Sequence, residues 1–152
     1  MKIKSSPLEF IDFYILQSNL VFVEPNRKNV DVKKLFANYN IDIDFSIKTE
    51  DNNQLLVFIK VEINNIDKNK DGYSIFAEGV AIFNIEGIQD FNEQDKSGLM
   101  FYSTLSIAIN NIRNYISNLT SNSPLGKYNL PAIDVNDLHS QKKKLLGNKN
   151  IR

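Results

Sequence analysis

The sequence contains no cysteine and only one histidine in 152 residues. The absence of cysteine excludes disulfides and thiolate metal sites, and a single histidine leaves little for zinc binding or general-base catalysis. Eighteen basic and eighteen acidic side chains cancel, so no net charge draws the whole molecule to nucleic acid or to an anionic membrane. No run of residues approaches the ~18–20 apolar residues of a membrane-spanning helix.

Charged residues also interrupt the apolar stretch at residues 8–12, which is not typical of a secretion signal. We therefore expect a cytoplasmic protein without membrane insertion and without nucleic acid as a partner. The length fits one domain. We place that domain at residues 1–140 and expect a flexible, lysine-rich tail at residues 141–152.

Alternating apolar and polar residues predict strands in the first part of the chain. The alternation is clearest at residues 41–48 and 57–64, and two further apolar segments lie at residues 10–23 and 73–85. Short turns separate the later segments, which favours an antiparallel meander of four strands. With the helix that follows, the predicted fold class is α+β.

A long helix is predicted at residues 98–120, because apolar residues recur there every three or four positions. A second stripe, formed by Phe101, Ala108 and Tyr115, lies beside the main one. A single sheet can bury only one stripe, so these three residues are candidates for a homo-oligomer interface. The alternative is that they are partly exposed, which protein surfaces tolerate.

Residues 126–138 follow this helix and are too apolar for an ordinary linker. Pro131 excludes a regular helix at its position. We expect the first part of this segment to lie on the protein as an extended strap. A short helix should follow, beginning at Val135 or Asn136.

One segment matches a metal-binding pattern. Residues 67–72, together with Glu78, satisfy the calcium-loop pattern of the EF-hand. That loop needs a helix on each side, whereas both flanks here have the period of strands. Glu78 would then lie some 15–20 Å from the turn at ~3.3 Å per residue, so a polar hairpin turn is favoured and no metal site is expected.

Two other groups of side chains could suggest catalysis. Asp42 and Asp44 share one face of a predicted strand, where a solvated surface explains them. His139 and Ser140 are adjacent in a polar stretch without an orienting carboxylate, so an exposed histidine at a helix end is the favoured interpretation. We therefore expect neither an enzyme nor a cofactor.

Three stretches, taken in order, resemble a known family. The first, residues 19–26, is the end of an apolar predicted strand followed by Pro-Asn. The second, residues 82–87, is the end of the fourth predicted strand and contains Asn-Ile-Glu-Gly. The third, residues 129–138, contains a Leu-Pro segment. These stretches and the order of the elements are similar to the SecB family of protein-export chaperones. The resemblance covers residues 10–140.

The resemblance implies a molecular chaperone (a holdase) that assembles as a tetramer, a dimer of dimers, and needs no cofactor. It would bind unfolded or pre-secretory polypeptides in apolar grooves and deliver them to the SecA translocase. The implied groove residues lie in the connection after the first strand and in the strap; each could instead only hold its own loop in place. They are Leu35, Phe36, Tyr39, Tyr128, Leu130, Ile133 and Leu138.

The sequence departs from the family at the positions expected to contact SecA. Glu24 and Glu78 are the acidic candidates, but Asn19 and Val23 stand where acids are expected, and the tail is basic rather than acidic. Chaperoning is therefore better supported than delivery to SecA. The alternative is a SecB-like oligomeric interaction protein with a dedicated client, such as an antitoxin, and no SecA role.

Overall fold

The computed structural model describes residues 1–2, 5–26, 29–65 and 71–149. The strands come first in the chain and the longer helices come after them, which confirms the predicted α+β fold class. They are β1 (Glu9–Val23), α1 (Val32–Ala37), β2 (Ile41–Thr49), β3 (Gln54–Ile63), β4 (Gly72–Asn84), α2 (Glu93–Gly98), α3 (Thr104–Thr120) and α4 (Val135–Lys149).

The four described strands form one antiparallel sheet in the order β1-β4-β3-β2. The meander comprises β2, β3 and β4, while β1 lies beside β4 on the far side. Phe22 of β1 is paired with Tyr73 of β4, and Ile59 of β3 with Gly79. As a result, β1 and β2 are the two edge strands of the sheet.

The core lies between one face of the sheet and α3. Every second residue of β3 is almost completely buried, as its alternating sequence predicts. The main apolar stripe of α3 covers this face and packs on β1, β3 and β4. Its buried members include Leu105, Ile109, Ile112 and Ile116.

The long helix begins earlier than residue 98. Asn92 caps α2 by accepting a hydrogen bond from the Asp95 N–H at 2.9 Å. A π-helical turn, Leu99–Ser103, then leads into α3. The helical segment therefore runs from Glu93 to Thr120 with one π-helical turn inside it.

The three residues of the second stripe differ in their exposure within the protomer. Ala108 is fully buried within the protomer, so it offers no surface to another subunit. The Tyr115 hydroxyl is hydrogen-bonded at 2.6 Å to Ser18 of β1. Of the three candidates, Phe101 is the one that is clearly exposed, at 37%.

Two helices differ from the sequence prediction. The connection after β1 contains α1, whose Asp31 cap accepts from the Lys34 N–H at 3.2 Å. At the other end, α4 continues to Lys149, past residue 140 where the lysine-rich tail was expected to begin.

The calcium-loop pattern and the expectation of no membrane-spanning helix can be compared with the structure only over the described residues. Residues 67–70 of the calcium-loop pattern lie outside the described residues, and Glu78 lies within β4 opposite Lys60. In the described parts of the chain, no helix is both long enough and apolar enough to cross a membrane.

A buried tyrosine joins the connection after β1 to the sheet, and it gives a testable prediction. The Tyr39 hydroxyl accepts a hydrogen bond from the Tyr73 N–H at 2.7 Å. The change Tyr39→Phe removes this acceptor and leaves a buried N–H unpaired. It should lower the free energy of unfolding by about 1–3 kcal/mol, measured by urea denaturation.

Tyr102→Phe is the control, because Tyr102 is 44% exposed. Equal stabilities of the two variants would contradict the structural role given to the Tyr39 hydroxyl.

Candidate functional site

Four aromatic rings meet where α1, β4 and the strap come together. We call Phe36, Tyr39, Tyr73 and Tyr128 the aromatic cluster. The Phe36 ring lies 5.4 Å from Tyr39, 5.6 Å from Tyr73 and 5.1 Å from Tyr128, measured between ring centroids. These separations are in the range of favourable aromatic pairs, so the cluster joins three segments that are distant in sequence.

The strap, residues 126–134, is extended but belongs to no strand of the described sheet. Side chains hold it instead. The Tyr73 hydroxyl donates to the Gly126 carbonyl at 2.9 Å and accepts from the Leu125 N–H at 2.7 Å. The Thr120 hydroxyl oxygen accepts from the Tyr128 N–H at 2.8 Å.

Arg113 of α3 binds the strap at its proline. Its guanidinium donates to the carbonyls of Leu130 at 3.1 Å and Pro131 at 2.9 Å, and to the Asn110 side chain at 2.7 Å. Charge-assisted hydrogen bonds of this kind are among the stronger ones in proteins. Arg113 thereby fixes the path of the chain that leads into α4.

Burial raises the pKa of three tyrosines in the aromatic cluster. Loss of hydration raises the pKa of Tyr39 and of Tyr73, and it raises the pKa of Tyr128 to about 12. A buried phenolate has no solvent to stabilise its charge, so the neutral form is favoured. These side chains therefore serve packing and hydrogen bonding at neutral pH.

The seven predicted groove residues divide into two sets. Tyr39, Tyr128 and Leu130 are buried in the protomer core, with 8%, 2% and 3% of their surface exposed. Side chains so buried offer little surface to another molecule in this conformation. The other four are half-buried and pack against the core; they are Leu35, Phe36, Ile133 and Leu138.

Ile133 and Leu138 contribute to a groove beside the first half of β2. We call it the acidic groove; its volume is about 270 Å³. Three aspartates and no basic side chain line it. Its residues are Ile41, Asp42, Ile43, Ala132, Ile133, Asp134, Asp137, Leu138 and Gln141.

A larger groove of about 620 Å³ lies beside the second half of β2, and sequence reasoning missed it. We call it the basic groove, since two lysines and one histidine but no acid line it. It is formed by β2, the start of the long helix and α4. Its residues are Phe45, Ser46, Ile47, Ser97, Phe101, Tyr102, His139, Lys142, Lys143 and Leu146.

His139 lies among the aromatic rings of the basic groove. Its ring stacks on Tyr102 with centroids 5.7 Å apart, and it meets Phe101 edge-on at 5.5 Å. The expectation of an exposed histidine is therefore wrong: His139 is half-buried. Phe101, proposed from sequence as an interface residue, is a wall of this groove.

An ion pair lies at the boundary of the two grooves. Lys142 of α4 contacts the Asp44 carboxylate of β2 at 2.5 Å, and its ammonium group lies 5.7 Å from the centre of the Phe45 ring. Partial burial tends to raise the pKa of Asp44, but hydrogen bonds from Lys142 and from the Phe45 N–H outweigh it, so this pKa lies below its usual value. Asp44 also covers the outward N–H of Phe45 on the open edge of β2.

The surface beside β2 is suited to binding. In the ranges that the structure describes, no three acidic or histidine side chains converge to hold a metal ion. The grooves offer aromatic and aliphatic surface, a few charges and an edge strand. Such a surface can bind apolar side chains of an extended chain with little dependence on their identity.

Comparisons with known proteins support the fold. No protein-family model matches the chain, and no curated protein matches it either. Among solved structures, the chain is similar to the SecB-like chaperone Rv1957 of Mycobacterium tuberculosis, solved with a ChAD peptide from the HigA1 antitoxin. The TM-score is 0.59 at 16% identity, over 84% of this chain and 90% of that one. The fold is therefore SecB-like.

A second similar structure is a protein of unknown function from Streptococcus agalactiae. Its TM-score is 0.47 at 9% identity, over 82% of this chain and 97% of that one.

The contacts of Arg113 predict how the strap responds to mutation. Arg113→Met keeps most of the aliphatic stem but removes the donors to Leu130 and Pro131. We expect a loss of about 1–3 kcal/mol in the free energy of unfolding and faster hydrogen–deuterium exchange in the strap and α4. Asn114→Ala, at an exposed neighbouring position, is the control. Unchanged exchange in the strap of Arg113→Met would show that Arg113 does not hold it.

The raised tyrosine pKa values predict a loss of stability in alkali. Unfolded tyrosines ionise near pH 10, whereas Tyr128 in the folded protein ionises near 12. Between these values the folded state binds more protons, so the free energy of unfolding should fall as pH rises. Urea denaturation across this window measures the slope. Tyr128→Phe should flatten it and Tyr102→Phe should not; an equal slope in all three proteins would contradict the assignment.

Proposed function

We propose that the protein is a molecular chaperone of SecB-like fold that holds unfolded polypeptide segments beside β2. The basic groove is the observation that carries this proposal, because it is a large, open and mainly apolar surface on a SecB-like fold. The mode of action is binding without catalysis. Half-buried Ile133 and Leu138 extend the apolar surface into the acidic groove.

The physical basis of holding is burial of apolar side chains. Each Å² of apolar surface removed from water contributes roughly 25 cal/mol, whatever the client sequence. Phe101, Tyr102 and Leu146 supply partly exposed surface that a client can cover. The Lys142–Asp44 pair lies at the boundary of the two grooves, and a partly exposed pair of this kind contributes only about 0–1 kcal/mol, so a client can displace it at little cost.

A dedicated client is the alternative to general holding of unfolded or pre-secretory chains. The similar Mycobacterium tuberculosis chaperone was solved with a peptide from an antitoxin. That complex supports polypeptide binding by the fold and makes an antitoxin segment a reasonable client class. Both versions use the same grooves and differ only in client range.

Delivery of clients to SecA has weaker support than the holding of polypeptides. Glu24 is exposed just after β1, whereas Glu78 is half-buried on β4 beside Gln17 and opposite Lys60. The strand between Gln17 and Glu24 separates the two acids by ~20 Å. They do not form one acidic patch, so chaperoning without SecA is the preferred form of the proposal.

Self-association is part of the proposal, with a different surface from the one expected. The edge strand β1 carries six exposed large apolar side chains: Phe10, Ile11, Tyr14, Leu16, Val21 and Phe22. An open edge strand with such side chains is prone to pair with another chain. A homo-oligomer joined through β1, such as a dimer of dimers, would cover them.

Holding activity can be tested with neighbouring residues of α4. Leu146 lines the basic groove and is 53% exposed, whereas Leu145 is 62% exposed and lies outside the groove. The wild type should suppress aggregation of an unrelated unfolding polypeptide at near-equimolar amounts, followed by light scattering. Leu146→Ser should weaken suppression several-fold, because it removes apolar surface from the groove.

Leu145→Ser is the matched control and should act as the wild type does. A wild type that leaves aggregation unchanged would refute the chaperone proposal. Equal effects of the two substitutions would place the binding surface elsewhere.

A further inference from the structure

The two grooves beside β2 carry opposite charge, and this distribution restricts the client. Resting on the proposed function, we infer that the preferred client segment is an extended apolar stretch with one basic and one acidic residue. Its basic residue lies at the acidic groove and its acidic residue at the basic groove. The client is thus bound in one orientation along β2.

The acidic end of the site is formed by side chains from two elements. Asp42 projects from β2 and Asp137 from the first turn of α4, and both line the acidic groove. Asp134 is already engaged, since it accepts hydrogen bonds from the Asn136 and Asp137 N–H groups. Asp42 and Asp137 are exposed. The Asp137 carboxylate accepts a hydrogen bond from the Gln141 amide at 2.8 Å, but this neutral donor does not cancel its charge, so both side chains present negative charge to a bound segment.

The basic end is formed mainly by α4. Lys143 lines the basic groove and is exposed, and Lys142 reaches across to Asp44. A carboxylate from the client can replace Asp44 as the partner of Lys142. The ion pair at the boundary of the two grooves would then be exchanged for an intermolecular one rather than lost.

The geometry sets the spacing of the client charges. Asp42 and Ile47 are five residues apart on β2, or ~17 Å, and Asp137 and Lys143 are six residues apart on α4, or ~9 Å along its axis. An extended client would therefore carry its opposite charges about three to five residues apart. The intervening side chains face Phe45 and the other rings of the basic groove.

The position of β2 supports an extended occupant. Within the described ranges β2 pairs only with β3, so its other edge faces the grooves. The Phe45 N–H on that edge is occupied by the Asp44 side chain. A client backbone carbonyl that takes the place of the Asp44 carboxylate at this N–H would pair with β2 in the manner of strand addition.

The inference is tested with four fluorescent peptides that share the same apolar residues. One carries Lys and Asp four residues apart, and the others carry two Lys, two Asp or two Ser at these positions. Anisotropy titrations at low ionic strength should show that the Lys/Asp peptide binds more tightly than the Ser peptide. Each of its two charges should lower the dissociation constant about two- to five-fold. High salt should abolish the preference.

Charge-reversed variants identify the residues responsible. Asp42→Lys should shift the preference to the two-Asp peptide, and Lys143→Glu should shift it to the two-Lys peptide. The matched controls are Asp51→Lys in the β2–β3 turn and Lys144→Glu on α4, both at exposed positions outside the grooves. Both controls should keep the preference of the wild type.

The possible failures are distinguishable. If the Ser peptide binds as tightly as the Lys/Asp peptide, or if Asp42→Lys and Lys143→Glu leave the order of affinities unchanged, the charge inference is refuted while holding activity stands. If no peptide binds and the wild type also fails to suppress aggregation, the proposed function itself is refuted.

Discussion

Tyr73 is the residue on which the arrangement of the site depends. Its backbone N–H donates to the Tyr39 hydroxyl, and its own hydroxyl bonds to the consecutive residues Leu125 and Gly126 where the chain enters the strap. The connection after β1 and the segment after α3 are thereby attached to the same point of β4. Gly72 permits this contact, because a Cβ at this position would collide with the Tyr39 hydroxyl and its backbone is left-handed, with φ of 94°.

The path of the strap away from Tyr73 determines where the two grooves lie. The strap runs past α3, where Arg113 binds it, and places the start of α4 beside the first half of β2. α4 then continues along β2 and reaches Phe45 and Ile47 with its second and third turns. The grooves exist because α4 lies next to an edge strand without covering it fully. A helix packed closely on β2 would have produced a larger core and no open surface.

The elements that were predictable are those whose own pattern decides their structure. The alternation at residues 41–48 predicts β2, and the apolar stripe predicts α3. The neighbour of β1 was not predictable, because alternation does not identify a strand's partner.

Asp31 and Asn92 are typical N-cap residues that could have indicated α1 and the early start of α2. Tyr39, Tyr128 and Leu130 look like groove residues in sequence, but their burial depends on one another. The basic groove combines residues from three distant segments, so no local signal pointed to it.

The pairing of β1 with β4 also affects how the chain is made. Glu9 finds its partner in Asn84, and Val23 in Gly72, so the first strand leaves the ribosome well before its partner does. At about 5–20 residues per second, translation leaves this apolar strand unpaired for several seconds. The nascent chain is thus itself a segment of the kind that holdases bind.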